Sequence, residues 1–268
     1  MPVCITGMHR SGTSLVTNLL RLCGLYLGKE ADLLPATVDN QAGYWESRSI
    51  MLLNDAILRQ LGGAWDSPPP LGVSWAHESR FRSLRQQAET LLREFTGREP
   101  WGWKDPRNCL TLPFWQDLDR IKTPRGSKLR VVLCLRDPLE VFESLRDRRF
   151  TPSSSGLDLW LTYNRSILNS TRVEDRIITH YDAYFRNAAA ELRRVLNFLE
   201  IAAPDDLVER SISAVSQELR HKNSSGAPKN ANLTAEMVNL YNAMCEEAAS
   251  PKFLYRSGRS YFLSSGGT

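Results

Sequence analysis

The stretch GMHRSGTS, Gly7 to Ser14, decides the fold. Before it, PVCIT (2–6) is short and apolar, the pattern of a buried strand. After it, TSLVTNLLRLCGL (13–25) carries Leu15, Leu19, Leu20 and Leu22 in a helical pattern, with Gly24 as a stop signal. Strand, glycine loop and helix together are the setting of a phosphate-binding loop. Backbone N–H groups and the positive end of the helix dipole hold an anion there. Gly7 and Gly12 have the separation of the triphosphate loop GxxxxGK[ST], and Thr13-Ser14 follow. The lysine that reaches the β and γ phosphates is absent, and Thr13 stands in its place. Arg10 supplies a planar, bidentate donor. The plainer account is a strand-to-helix turn whose Ser and Thr cap the helix. The density of donors in R-S-G-T-S favours the anion site.

Outward from the loop, strands and helices alternate. SRSIMLLNDAILRQLGG (47–63) and RFRSLRQQAETLLREFTG (80–97) read as helices closed by glycine, with residues 30–45 and the proline-rich DSPPPLGVSW as loops. WGWKDPR (101–107) reads as a short strand running into a turn at Pro106, and LPFWQDLDRI (112–121) as a helix. KLRVVLCLRDP (128–138) is the clearest strand, and PLEVFESLRDRR a helix with Pro138 in its first turn. SSSGLDLWLTYNRSILNSTR is a loop leading to a helix, RIITHY a strand, NAAAELRRVLNFLEI a helix, and TAEMVNLYNAMCEEA another. KNSSGAPKNANLT reads as a mobile loop and SSGGT as a frayed tail. This order predicts an α/β fold, a parallel sheet flanked by helices on both faces, as one domain over residues 1–268.

Ligands in such a sheet gather at the carboxyl ends of its strands. Arg136 ends one strand and Ser144 follows eight residues later, a pair suited to a second phosphate; a surface Arg136–Asp137 pair is the alternative. Lys104 ends another strand, where its charge can offset charge developing on a leaving oxygen. Asp105 orients Lys104 or Arg107, with a structural ion-pair network favoured for it.

Arg-Ser-Gly-Thr-Ser after the first strand, Lys104 after a middle strand, and Arg136 with Ser144 together resemble the PAPS-dependent sulfotransferases. ITHYDAYFRNAAAELRRVLNFLEI (178–201) resembles that family's strand–Tyr–acid–helix segment. The resemblance covers roughly residues 3 to 204. It implies a three-layer, P-loop-like fold. It implies that Arg10, Ser11, Gly12, Thr13 and Ser14 hold the 5′-phosphosulfate of 3′-phosphoadenosine 5′-phosphosulfate (PAPS). Arg136 and Ser144 would hold its 3′-phosphate, Tyr181 would lie near the adenine, and 3′-phosphoadenosine 5′-phosphate (PAP) would leave as product. It also accounts for the missing lysine, because sulfuryl transfer in that family needs no metal. The histidine base of cytosolic members, two residues beyond the lysine, is replaced here by Pro106. Carbohydrate-type and bacterial members place a glutamate between the loop and the middle strand, and Glu46 fits that place. Tyr44 and Trp45 beside it could desolvate it and stack on an acceptor, whereas the alternative is an acidic residue in a helix's first turn. Asp66 and His77 are reserve bases, His9 is a loop spacer, and His180 and His221 have no partner at a recognisable spacing. Trp160 and Tyr163 fit core packing better than nucleotide contact.

Composition bounds the partners. A net charge of +4 suits an anionic ligand and is too small to argue for nucleic acid. Five dispersed cysteines without a CxxC pair point to reduced, buried thiols, and with four unclustered histidines they provide no metal site. No apolar run reaches the roughly 18 residues of a membrane span, and the absence of a leader suggests a cytoplasmic enzyme. The expected acceptor is a hydroxyl on a carbohydrate, lipid or small natural product, with tryptophans 45, 65, 75, 101 and 103 available to it. A P-loop small-molecule kinase is the second reading, opposed by Thr13. A non-catalytic nucleotide-binding module is the third, and such a module could dispense with Lys104 and Glu46. Oligomeric state is left open.

Overall fold

A computed structural model describes residues 1–37, 40, 43–72, 74–95, 97–119, 121–123, 126–127, 129–147, 155–215 and 233–249. His221, most of the loop 222–234, the Ser residues before Ser155 and the tail lie outside the described residues. The strands are β1 (Pro2–Thr6), β2 (Trp101–Lys104), β3 (Lys122–Thr123), β4 (Gly126–Ser127), β5 (Arg130–Leu135) and β6 (Arg176–His180). The helices are α1 (Thr13–Leu22), α2 (Arg48–Gln60), α3 (Arg82–Leu92), α4 (Asn108–Gln116), α5 (Pro138–Asp147), α6 (Gly156–Asn169), α7 (Tyr181–Phe198), α8 (Asp205–Ile212) and α9 (Ala235–Glu247).

Four strands form a parallel sheet in the order β2-β1-β5-β6, with Ile5 opposite Lys104, Cys4 opposite Val131, and Leu133 opposite Ile178. Both faces are covered because successive strand residues point to opposite sides. Cys4, Val131, Leu133 and Ile178 enter one core with residues of α2, α3, α4 and α6. Val3, Ile5, Val132, Cys134 and Ile177 enter the other with α1, α7 and Val208 of α8. Three aromatic-rich segments converge in the first core, where Trp103 lies 5.2 Å from Trp115, and Trp160 and Tyr163 are fully buried. No described helix is long and apolar enough to cross a membrane.

The strand order fixes where a ligand can sit. From β1 the chain moves outward to β2, and from β5 it moves the other way to β6. The connections leave these two neighbours in opposite directions, which opens a crevice at their carboxyl ends. The loop after β1 and Arg136 after β5 border that crevice.

Several elements differ from the sequence expectation. The helix placed at 112–121 spans Asn108–Gln116 and contains Pro113. The Asp105 carboxylate accepts the Arg107 N–H at 2.9 Å and turns the chain into the helix at once, so Pro106 begins the turn and does not delay it. The strand RIITHY stops at His180, and Tyr181 already belongs to α7, whose backbone breaks at Asn187. The β3–β4 pair, α8 and the 3₁₀ turn Glu30–Asp32 carry too few periodic residues to announce themselves.

Candidate active site

The loop after β1 is shaped by two glycines. A Cβ on Gly7 (φ +150°) would stand 2.4 Å from the Cys134 carbonyl, so the loop lies directly on β5. A Cβ on Gly12 (φ +86°) would stand 2.2 Å from the Tyr181 ring. Between them Arg10 adopts φ +73°, and the Ser11 N–H returns to the Met8 carbonyl at 3.0 Å. Ser11 and Thr13 are buried. Gly12 occupies the N-cap of α1 and no side chain caps that end, which corrects the plainer account of capping Ser and Thr. The first N–H groups of α1 therefore point into the crevice without a side-chain acceptor from the cap position.

Ser14, on the first turn, is a hub. Its Oγ accepts from Lys104 Nζ at 3.3 Å and from Asn40 Nδ2 at 3.2 Å. Lys104, 2% exposed, also donates to the Tyr44 carbonyl at 3.1 Å and to Glu46 Oε1 at 2.6 Å. Glu46 reaches the lysine because the backbone turns sharply before it. Trp45 adopts φ +58°, the Glu46 carbonyl accepts the Leu34 N–H at 2.8 Å, and Ser47 caps α2 through the Ile50 N–H at 3.1 Å. A left-handed conformation at a bulky residue costs about 1–3 kcal/mol and persists where surrounding structure imposes it. The Trp45 ring carries the Arg21 guanidinium at 4.2 Å.

A second cluster stands across the loop. Arg136 donates from Nε to Glu140 at 2.9 Å and from Nη1 to the Arg10 carbonyl at 3.1 Å. Its guanidinium lies 4.5 Å from the Tyr181 ring centroid, and its own carbonyl accepts the Trp160 indole N–H at 3.2 Å. Ser144 accepts from Arg10 Nε at 2.9 Å. The Arg10 side chain joins Ser144, so Arg10, Arg136, Ser144 and Tyr181 form one group. Asp105 serves Arg107 and Asn54, not Lys104.

Comparison with known proteins adds the fold's relatives. No family model matches the sequence, and no curated protein matches it. Among solved structures, the chain is similar to the sulfotransferase domain of the Synechococcus PCC 7002 olefin synthase, with 18% identity and a TM-score of 0.56. That match covers 91% of this chain and 94% of the other. It is also similar to the sulfotransferase domain from the curacin biosynthetic pathway, with 13% identity and a TM-score of 0.53, over 91% and 98% of the two chains. The chain has the sulfotransferase fold.

Within this sulfotransferase fold, several residues near the crevice carry no local signal in the sequence. The His9 ring lies 4.4 Å from the Trp65 ring and 5.8 Å from Tyr163, whose hydroxyl donates to the Trp65 carbonyl at 2.7 Å. His9 is thus part of an aromatic wall and more than a spacer. Of the tryptophans expected for the acceptor, Trp75, Trp101 and Trp103 are buried in the core. Their rings fill space between sheet and helices, which removes them from any acceptor surface. Of the reserve bases, His77 pairs with Asp117 at the far end of α4, 3.1 Å away, and Asp66 follows Trp65 in its loop. His180 has partners after all: Nδ1 accepts the Asp182 N–H at 3.2 Å and Nε2 meets the Tyr241 hydroxyl at 2.9 Å.

The electrostatics differ between the two clusters. Burial pushes the Glu140 carboxyl up to about 7, with Arg136 only partly opposing it. Burial also raises the Tyr181 phenol. Burial works against the Arg107 cation, but Asp105 and Asp55 outweigh it and hold its pKa above the usual range. Among the described residues no group of three His, Cys, Asp or Glu side chains is placed to hold a metal.

Proposed function

We propose that the protein is a PAPS-dependent sulfotransferase acting on an acceptor hydroxyl. The observation that carries this reading is the convergence of Lys104, Glu46 and Ser14 at the start of α1, with Nζ–Oε1 at 2.6 Å and Nζ–Oγ at 3.3 Å. The residues present suit the nucleotide. The uncapped start of α1, the Gly12 position that any Cβ would fill, and the donors of Arg10, Arg136 and Ser144 form two anion-binding places on either side of Tyr181. Bound, PAPS supplies the activated sulfuryl group. The chain's own residues do the rest. Lys104 places a cation where negative charge grows on the leaving oxygen. Glu46 takes the acceptor's proton. Lys104 holds Oε1, and in this reading Oε2 receives the proton. Ser14 and the α1 N–H groups hold the 5′ side. His9 and Trp65 offer the acceptor an aromatic wall, consistent with a sugar ring or an apolar small molecule.

A kinase reading gains nothing from the geometry. Thr13, at the position of the triphosphate lysine, is buried, and Lys104 is already paired with a carboxylate. Thermal shifts with PAP, 5′-AMP and ATP–magnesium decide between the two. PAP is expected to raise the melting temperature well beyond 5′-AMP, since a ligand that binds only the folded state stabilises it in proportion to the logarithm of its concentration over Kd. A larger shift with ATP–magnesium than with PAP would overturn the proposal. A screen of acceptors with labelled PAPS then identifies the hydroxyl.

A further inference from the structure

Arg136, the residue assigned above to the 3′-phosphate, is tied down on three sides. Nε is held by Glu140 at 2.9 Å, Nη1 by the Arg10 carbonyl at 3.1 Å, and one face by Tyr181 at 4.5 Å. Among the described residues Nη2 carries no hydrogen bond, so the guanidinium has one open corner. Glu140 sits one turn into α5, is 3% exposed, and sets which way that corner faces. Two acidic neighbours add to its burial: Asp182 on α7 and Asp137 at the start of the same helix. Among the described residues, Arg10 of the loop after β1, His180 of β6 and Tyr181 of α7 also act on this group, and Arg186 of α7 and Tyr241 of α9 reach it through His180.

We infer that Glu140 is the positioning residue and internal counter-ion of Arg136, and that it takes up a proton when a phosphate monoester docks on Arg136. This rests on the donor assignment proposed above. A phosphate dianion arriving at the open corner is a like charge for the carboxylate behind the same guanidinium, and like charges disfavour the ionised form. Protonation removes that repulsion, while the carboxyl oxygen still accepts the Nε–H. Arg136 then faces the phosphate with its full charge. Burial already places the carboxyl at about 7, so the proton is taken up near neutral pH. The residue lies four positions after Arg136 on a helix that begins between them, a spacing that keeps the two side chains in contact.

Calorimetry of PAP and 5′-AMP binding near neutral pH, in buffers of low and high ionisation enthalpy (PIPES and Tris), counts the protons. For PAP, wild type is expected to take up about half a proton more than Glu140→Gln. The nucleotide's own phosphate, with a second pKa of about 6, titrates identically in both proteins and cancels in the difference. For 5′-AMP the two proteins should agree. Equal proton counts for PAP in both proteins, with PAP still preferred over 5′-AMP, overturn this inference alone. No preference for PAP in wild type overturns the donor assignment, and this inference with it. If Glu140→Gln does not fold, the sign in wild type decides. Glu140 makes the preference for PAP over 5′-AMP fall above neutral pH, by up to about tenfold per pH unit. Ionisation of the 3′-phosphate alone makes that preference rise or level off, and such a result removes Glu140 from the role.

Discussion

At Glu46 two demands meet on one carboxylate. It neutralises a buried ammonium at 2.6 Å, and as the proposed base it would also accept a proton from an incoming hydroxyl. The two oxygens divide this work, so replacing the charge while keeping the shape separates them. Glu46→Gln retains a carbonyl oxygen for Lys104 and loses the base. Turnover is expected to drop roughly 10²–10⁴-fold, the usual contribution of a positioned general base, with PAP affinity within about twofold of wild type. A stopped assay with labelled PAPS and a calorimetric titration of PAP check the two halves. Undiminished turnover in the variant assigns the base elsewhere, with His9 the first residue to test. Lys104→Met is the less informative change, because it strands the Glu46 charge in a buried place and so confounds catalysis with stability.

At the scale of elements, Lys104-Asp105-Pro106 and Arg136-Asp137-Pro138 are two versions of one device. Each has a basic residue at the end of a strand or directly after it, then starts a helix with an Asp that accepts backbone N–H groups: Arg107 at 2.9 Å for Asp105, Leu139 at 2.8 Å for Asp137. The strand end aims the cation into the crevice, and the capped helix fixes that strand end. This local chemistry is why the strand ends that carry Lys104 and Arg136 are legible in the sequence, whereas Tyr181 is placed only by the family resemblance. In the sequence the second Asp-Pro reads as a helix start and the first as a delay, although both carry the same signal. What was not legible is held by contacts between distant segments. Asn54 donates to Asp105 at 2.9 Å and to Asn108 at 2.8 Å, and accepts from Thr111 and from Trp115, each at 2.8 Å. No spacing in the sequence ties position 54 to 105–115. This knot locks α2, which begins just after Glu46, against the turn that follows Lys104 and against α4. Asn54→Leu is expected to cost about 3 kcal/mol, because several buried partners lose their bonds together. Chemical denaturation with an unchanged m-value checks it. A loss below about 1 kcal/mol would show that the partners re-pair without Asn54.

Across the whole molecule, His180 joins the edge strand β6 to α7 and α9, and its protonation state is built into the fold. Nδ1 accepts the Asp182 N–H, so the ring proton sits on Nε2 and is donated to Tyr241. A charged imidazole has no acceptor nitrogen left for Asp182, and burial, with Arg136 and Arg186 nearby, lowers its pKa to about 3. The unfolded chain protonates this histidine near pH 6.5, its ordinary pKa. Its stabilising contribution is therefore complete above that pH and is lost progressively as the pH falls toward about 3. Glu140 works with the opposite sign. Its folded value of about 7 lies above the ordinary 4.5, so its contribution is complete below 4.5 and is lost as the pH rises through about 7. Between about pH 4.5 and 6.5 the two trends oppose each other. The melting temperature of wild type should accordingly change little there from these two groups. His180→Asn keeps an acceptor and a donor but cannot titrate. Its melting temperature should lie below wild type near neutral pH, and the gap should narrow as the pH falls through this window. Glu140→Gln should drift the other way, gaining on wild type as the pH rises. Thermal melts of the three proteins across the window test both slopes at once. If the curves of wild type and His180→Asn run parallel, the link between β6, α7 and α9 is not set by the neutral imidazole.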